Sequence, residues 1–222
     1  MLLLDPVRFV RAGSSPFYEM RGGSPPPTCV AHNGRVSSLT GRLLVAVPRP
    51  HDGDEGDLFT RSVVFVLHHD DEGAQGLVLD YPLEAGVDSV LPGWQDVVSA
   101  PDRLFQGGPV GLDRAIALAN VPGRDEVLGT TRLFGSLSLV DLDAPPALVA
   151  AQLAGMRVFA GSAGWEAGQL DTELADDWWF VADYEIGDLF DDDPDTLWQR
   201  IVRRQPFPLN LMATFPDDPS LN

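Results

Sequence analysis

The stretch Ser62-Val63-Val64-Phe65-Val66-Leu67-His68 constrains the fold more than any other part of the chain. Successive side chains of a strand point to opposite faces, so a run that is apolar at consecutive positions needs cover on both sides. It predicts a central, doubly covered strand. A turn through Asp70-Asp71-Glu72-Gly73 leads to Gly76-Leu77-Val78-Leu79, a second apolar strand that ends before Pro82. So short a connection predicts an antiparallel neighbour.

Around this pair the pattern predicts further strands at Leu43–Val47, Ala115–Ala119, Ser136–Val140, Met156–Ala160 and Trp178–Ala182. Helices are fewer. Pro145–Leu153 carries Asp143 as N-cap, and Gln169–Ala175 pairs Leu170 with Leu174. A third helix starts at Asp193-Pro194 and turns Leu197, Trp198, Ile201 and Val202 inward. Strands outnumber helices and do not alternate with them, which predicts an α+β fold with a mixed sheet rather than a doubly wound one. Residues 1–38 have loop-forming composition and read as a disordered N-terminal tail, leaving residues 39–222 as the domain. An alternative reading starts translation at Met20.

Net charge is -18 and every basic residue is an arginine. Without lysine, a Walker phosphate site, pyridoxal Schiff-base chemistry and a kinase-type lysine are excluded. So negative a field also opposes direct binding to DNA, which needs cations against its phosphates. Cys29 is the single cysteine, so no intrachain disulfide or cysteine-rich zinc site can form. No apolar run approaches a membrane span and no secretion signal precedes the domain, so a cytoplasmic location is expected by default.

Several constellations invite a chemical reading. His68-His69-Asp70-Asp71-Glu72 has the residue types of a metal site, but His68 and His69 point to opposite faces of a strand. Asp191-Asp192-Asp193-Pro194-Asp195 lacks the spacing of a calcium loop and suits helix capping better. Ser162, within Ala160-Gly161-Ser162-Ala163-Gly164, has the small neighbours of a nucleophile elbow between a strand and a helix, yet every histidine precedes it in the chain. Gly107-Gly108-Pro109-Val110 is not a dinucleotide fingerprint and reads first as a turn. Glu166, Gln169 and Glu173 share one helical face beside Trp165, flanked by Gly164 and Gly168.

Taken in order, Gly41-Arg42-Leu43-Leu44-Val45-Ala46, Phe59-Thr60-Arg61-Ser62-Val63-Val64, His69, Gly73-Ala74-Gln75-Gly76-Leu77-Val78-Leu79, Tyr81-Pro82, Gly107-Gly108-Pro109-Val110, Gly161, Gly164-Trp165, Gly168-Gln169-Leu170, Glu173, Trp178 or Trp179, and Trp198 resemble the AlgH/YqgE family of small bacterial proteins. The resemblance begins near Gly41 and runs to the C-terminus. It implies an α+β fold with a mixed, partly barrel-like sheet. It carries no established active site or cofactor, and the AlgH name implies an association with transcriptional regulation. Two positions depart from the family pattern. Asp80 stands where asparagine is usual, and Ser162 where an aromatic, commonly tyrosine, is usual; the latter tells against a serine nucleophile.

The sequence therefore reads as a non-enzymatic protein that binds a protein partner or a small molecule, with a regulatory output. It calls for no cofactor, no metal and no membrane. The candidate surface comprises Arg61, His69, Asp80, Gly107, Gly108, Pro109, Trp165, Gln169 and Glu173, polar or glycine positions at strand ends and turns. Two alternatives stay open: a regulator acting directly on DNA, and a hydrolase or metalloenzyme using His69 with nearby carboxylates.

Overall fold

The computed structural model describes residues 38–48, 58–123 and 126–215. Along them run β1 (Leu43–Ala46), β2 (Val63–Asp70), β3 (Gly73–Val78), β4 (Pro82–Gly86), β5 (Arg103–Gln106), β6 (Val110–Asn120), β7 (Thr130–Phe134), β8 (Leu137–Val140), α1 (Pro146–Val149), β9 (Gly155–Glu166), α2 (Gln169–Ala175), β10 (Trp179–Ala182) and α3 (Leu197–Arg203). The main path of the sheet is β10-β1-β2-β3-β9-β6-β8-β7.

β9 is the spine. β6 pairs along one of its edges, from Val110↔Ser162 to Asn120↔Gly155. The other edge is shared by β3, at Gly73–Gly76, and by β5, whose Phe105 and Gln106 run parallel to Phe159 and Ala160. The β5–β9 contact makes the sheet mixed, as expected, since the remaining described pairings are antiparallel.

β2 behaves as its sequence requires. Val63, Phe65 and Leu67 enter one apolar cluster while Val64 and Val66 enter another on the opposite face. The first cluster gathers side chains from β1, β2, β3, β5, β6, β8, β9 and β10, with Leu133 and Phe134 of β7 packed against it. Only a sheet curled on itself brings Phe134 of the last strand within 5.9 Å of Phe65 near the other end. This half-barrel interior is plugged by Leu197, Trp198, Ile201 and Val202 of α3, the inward face read from the sequence. α2 covers the outer face of β1–β3 and β9 with Leu170. Val87, Leu91, Trp94 and Val149 cover the outer face of β6 and β9.

The expected strands are present, those at Ala115–Ala119 and Met156–Ala160 as parts of longer ones, and three more are new. Met156–Ala160 is part of a longer strand reaching Glu166, and β4, β5 and β7 were not anticipated because they are short and partly polar. The helix expected at 145–153 is α1 followed by a 3-10 turn at Ala150–Gln152, entered from Pro145 without a side-chain cap from Asp143. Asp193 caps through the Thr196 hydroxyl, at 2.8 Å, rather than through a backbone N–H. Residues 1–37 of the expected tail, with Cys29 and His32, and also His51 lie outside the described residues, whereas Ser38 is described.

Candidate functional site

The nine candidate residues do not form one surface. They occupy three places on the sheet. At one end of β2 and β3, Asp80 accepts the Val63 N–H with both carboxylate oxygens at 3.1 Å. Desolvation pushes the Asp80 carboxyl up to about 7, against the opposing pull of the Val63 N–H. Nearby, Arg61 stacks on the Trp198 ring, 5.1 Å from its centroid, and donates to the Phe215 carbonyl at 3.3 Å.

His69, Trp165, Gln169 and Glu173 lie at the other end, on the face that α2 covers. His69 is 8% exposed, and its Nδ1 accepts the Leu39 N–H at 3.1 Å. The Ser38 hydroxyl donates to the His69 carbonyl, and the His69 N–H donates to the Thr40 hydroxyl. His69 therefore fastens the segment entering β1. The Glu173 carboxylate accepts three bonds: the Trp165 and Trp179 indole N–H groups, each at 2.8 Å, and the Gln169 amide at 2.9 Å. The other end of Gln169 accepts the Glu166 N–H at 3.0 Å. The polar stripe beside Trp165 is thus a clasp that ties α2 to β9 and β10.

The third place joins the two glycine segments. Gly107 donates to the Ala160 carbonyl at 2.9 Å and accepts the Val78 N–H at 2.9 Å. A Cβ on Gly108 would lie 2.0 Å from the Ser162 carbonyl carbon, and one on Gly107 2.5 Å from the Gly161 oxygen. Gly161, at φ +68°, meets the Gly108 and Val110 oxygens in return. These residues are glycine because two backbones touch there. Ser162 consequently lies inside a strand, not in a strand-to-helix turn, and its hydroxyl accepts the Gln75 amide at 3.1 Å. The elbow reading of Ser162 fails on that geometry.

Beyond this crossing the interior face of the sheet runs out from under its core. His68 pairs with Gln75 and Gln75 with Gly164; one row further out, Asp70 pairs with Gly73 and Gly73 with Glu166. Directly opposed residues share a face, so His68, Asp70, Gln75, Gly164 and Glu166 all lie on the side opposite the α2 clasp. The floor of this shelf is glycine. Gly164 is exposed, and a Cβ there would meet only Val110 Cγ2 at 3.8 Å. His68 Nε2 and Asp70 Oδ2 are 2.8 Å apart at one wall. The Glu72 N–H and then His68 hold the Asp70 carboxyl below the usual carboxylate range. At the other wall β6 bulges: it advances from 110 to 115 while β9 goes from 162 to 160. The bulge leaves Val110 and Leu112 57% and 48% exposed. Bulges re-aim side chains beside sites, and barrel mouths are common places for ligands. Of the candidate surface, Pro109 is exposed here, supported by Gly107 and Gly108.

Sequence reasoning missed the shelf because its signal is a pair of glycines, Gly73 and Gly164, on adjacent strands, visible only in register. It also missed Arg157, 1% exposed, whose guanidinium lies 4.1 Å from the Phe105 ring centroid. Arg157 donates to the carbonyls of Ala100 at 3.1 Å, of Asp191, and of Leu189 at 3.5 Å. Desolvation lowers its pKa to about 10, which leaves it charged at neutral pH. The signal was a lone arginine inside an apolar strand.

The basic residues of α3 are largely committed to structure. Arg200 contacts the Asp191 carboxylate and the Thr196 hydroxyl, and Arg204 reaches Asp188 at 2.8 Å. Among the described residues no group of His, Cys, Asp and Glu side chains is arranged to hold a metal ion. No helix among them is long and apolar enough to cross a membrane.

Comparison with known proteins places this geometry. A family model described as AlgH-like matches residues 43–210. A UPF0301 protein of Streptomyces avermitilis is 48% identical over 191 residues, covering 84% of this chain and 97% of the relative. One from Thermobifida fusca is 47% identical over 201 residues, covering 86% and 99%. Among solved structures, a Corynebacterium diphtheriae protein superposes with TM-score 0.72 at 32% identity, covering 90% of this chain and 97% of that one. The AlgH protein from Pseudomonas aeruginosa superposes with TM-score 0.59 at 25% identity, covering 90% and 100%.

Proposed function

The chain belongs to the AlgH-like family, and from that premise we propose that it is a non-enzymatic, cytoplasmic binding protein with a regulatory output, acting through the shelf at the mouth of its half-barrel. The observation that carries this reading is the glycine floor at Gly164. The strand there has no side chain, a Cβ added to it would meet only Val110 Cγ2 among the described residues, and its backbone conformation does not demand glycine. At Gly107 and Gly108, by contrast, close packing accounts for the glycines. An uncovered floor between a His68–Asp70 pair and exposed Val110 and Leu112 suits recognition of a partner that brings both polar and apolar groups.

A regulator acting directly on DNA is the second reading. The net charge of -18 and the ion pairs of Arg200 and Arg204 favour a protein intermediary instead.

The test is affinity capture from native cytoplasm, with proteins and small molecules identified by mass spectrometry. Wild type is compared with Gly164→Leu, which fills the shelf, and with Gln169→Ala/Glu173→Ala, which opens the clasp on the other face. A partner bound by wild type should be lost with Gly164→Leu at unchanged near-ultraviolet circular dichroism. Retention of every captured partner by that variant would sink the shelf as the working surface.

A further inference from the structure

Resting on the shelf as the binding surface, we infer that its occupant is a basic segment of a partner protein, with a cationic side chain received between Asp70 and Glu166 and an apolar residue further along the segment laid against Val110 and Leu112. Asp70, Gly73 and Glu166 are consecutive partners across three strands. Strands lie about 4.8 Å apart, so the two acidic residues stand about 10 Å apart at their Cα atoms. Between them Gly73 contributes no side chain, and none can replace it: a Cβ there would lie 2.3 Å from the Trp165 carbonyl oxygen. The two acidic residues therefore flank a position that carries no side chain, at a spacing within which a guanidinium or ammonium group can be received.

The electrostatics agree in sign. Asp70 keeps its charge because the Glu72 N–H and His68 stabilise the anion. Glu166 is exposed, and its carboxylate makes no hydrogen bond or ion pair among the described residues. Covering it with a neutral or acidic partner would desolvate a charge without compensation, whereas a cation supplies the missing partner. Val110 faces Ser162, four residues before Glu166 and on the far side of β9, so a segment that places a cation over Gly73 and runs along β9 for about 13 Å brings a more distant apolar residue onto the bulge. The charge of the whole chain adds long-range attraction for such a segment.

The experiment measures fluorescence anisotropy with labelled synthetic peptides that alternate leucine with arginine, or leucine with glutamate, at about 150 mM salt, where the Debye length is ~8 Å. The leucine–arginine peptide should bind wild type and the leucine–glutamate peptide should not. Asp70→Asn/Glu166→Gln should weaken binding about tenfold. A remote pair of the same charge change, Glu84→Gln/Asp102→Asn, should weaken it less than about twofold. Glu166→Gln alone, at an exposed side chain, repeats the test without risk to folding. Equal losses in the shelf and remote pairs, or no binding of the arginine peptide, would overturn the inference. Equal binding of the glutamate peptide, abolished by Gly164→Leu, would overturn the cation while leaving the shelf as a binding surface.

Discussion

His68 and His69 are neighbours in the chain but belong to opposite faces of the same three strands, and their surroundings differ. On the His69 side, α2 closes over the sheet: two indoles, an amide and a carboxylate satisfy one another, and the imidazole holds the incoming backbone. On the His68 side nothing described covers the outer rows, and His68, Asp70 and Glu166 border bare glycine. The residue types are similar. Polar groups bond one another on both faces, since His68 pairs with Asp70 and Gln75 donates to Ser162. What separates the two is the cover that α2 supplies on one side and, on the other, the exposed Glu166 carboxylate, which has no partner among the described residues.

That contrast can be broken most severely at the glycine crossing beneath both faces. Gly108→Ala should cost at least about 4 kcal/mol and leave little folded protein, because the backbone of Ser162 and Ala163 must move. Thermal or urea unfolding measures it, and a loss below about 1 kcal/mol would mean the two backbones separate easily. Next is the clasp. Glu173→Ala leaves two indole N–H groups of 7% exposed tryptophans without their acceptor and should cost about 2–4 kcal/mol, with an altered near-ultraviolet tryptophan signal. An unaltered tryptophan signal would show that the clasp does not organise the closed face.

The smallest expected effect sharpens the comparison by pH. Asp70 on the open face is held below the usual range while Asp80, at the far end of β3, is raised from 3.8 to about 7. A raised carboxyl binds its proton more tightly in the folded chain than in the unfolded one. Its contribution is therefore fully present below about 3.8, declines as pH rises towards 7, and is gone above that. Asp80→Asn keeps an acceptor for the Val63 N–H without the charge, so it should stabilise the protein by about 2 kcal/mol at pH 8 and by less than about 0.5 kcal/mol at pH 4. A stability difference that does not change with pH would contradict the desolvated carboxyl. Asparagine is also the residue usual here in the resembling family, and an acceptor-only role explains why either can serve.

Much of the fold was legible. The doubly apolar β2, the β2–β3 hairpin and the inward face of α3 follow from periodicity, because alternation and helical spacing report which sides are covered. The β6 bulge was not legible, since Val110–Ala115 looks in sequence like the approach to a regular strand. The run Gly161–Gly164 looked like a turn because small residues signal both turns and close backbone packing, and only the partner at Gly107–Gly108 distinguishes them. For the site, helical spacing puts Gln169 beside Glu173, to which its amide donates, but it does not reveal that Glu173 accepts the indole N–H groups of both Trp165 and Trp179. Arg157 shows the same limit: a buried cation is visible as an anomaly in an apolar strand, while the carbonyls that satisfy it come from segments far away in sequence.

The position of β9 as spine also bears on how the chain is made. β3, β5 and β6 all hydrogen-bond to residues 155–166, so none has its full complement of partners when the ribosome has reached Asn120. At roughly 5–20 residues per second, the apolar strands already synthesised wait for about 2–9 seconds before the spine emerges. During that interval β2 and β3 hold their apolar faces without a lid. A chain this acidic repels other copies of itself while it waits, so its charge protects the nascent protein from aggregation before it can serve the folded one.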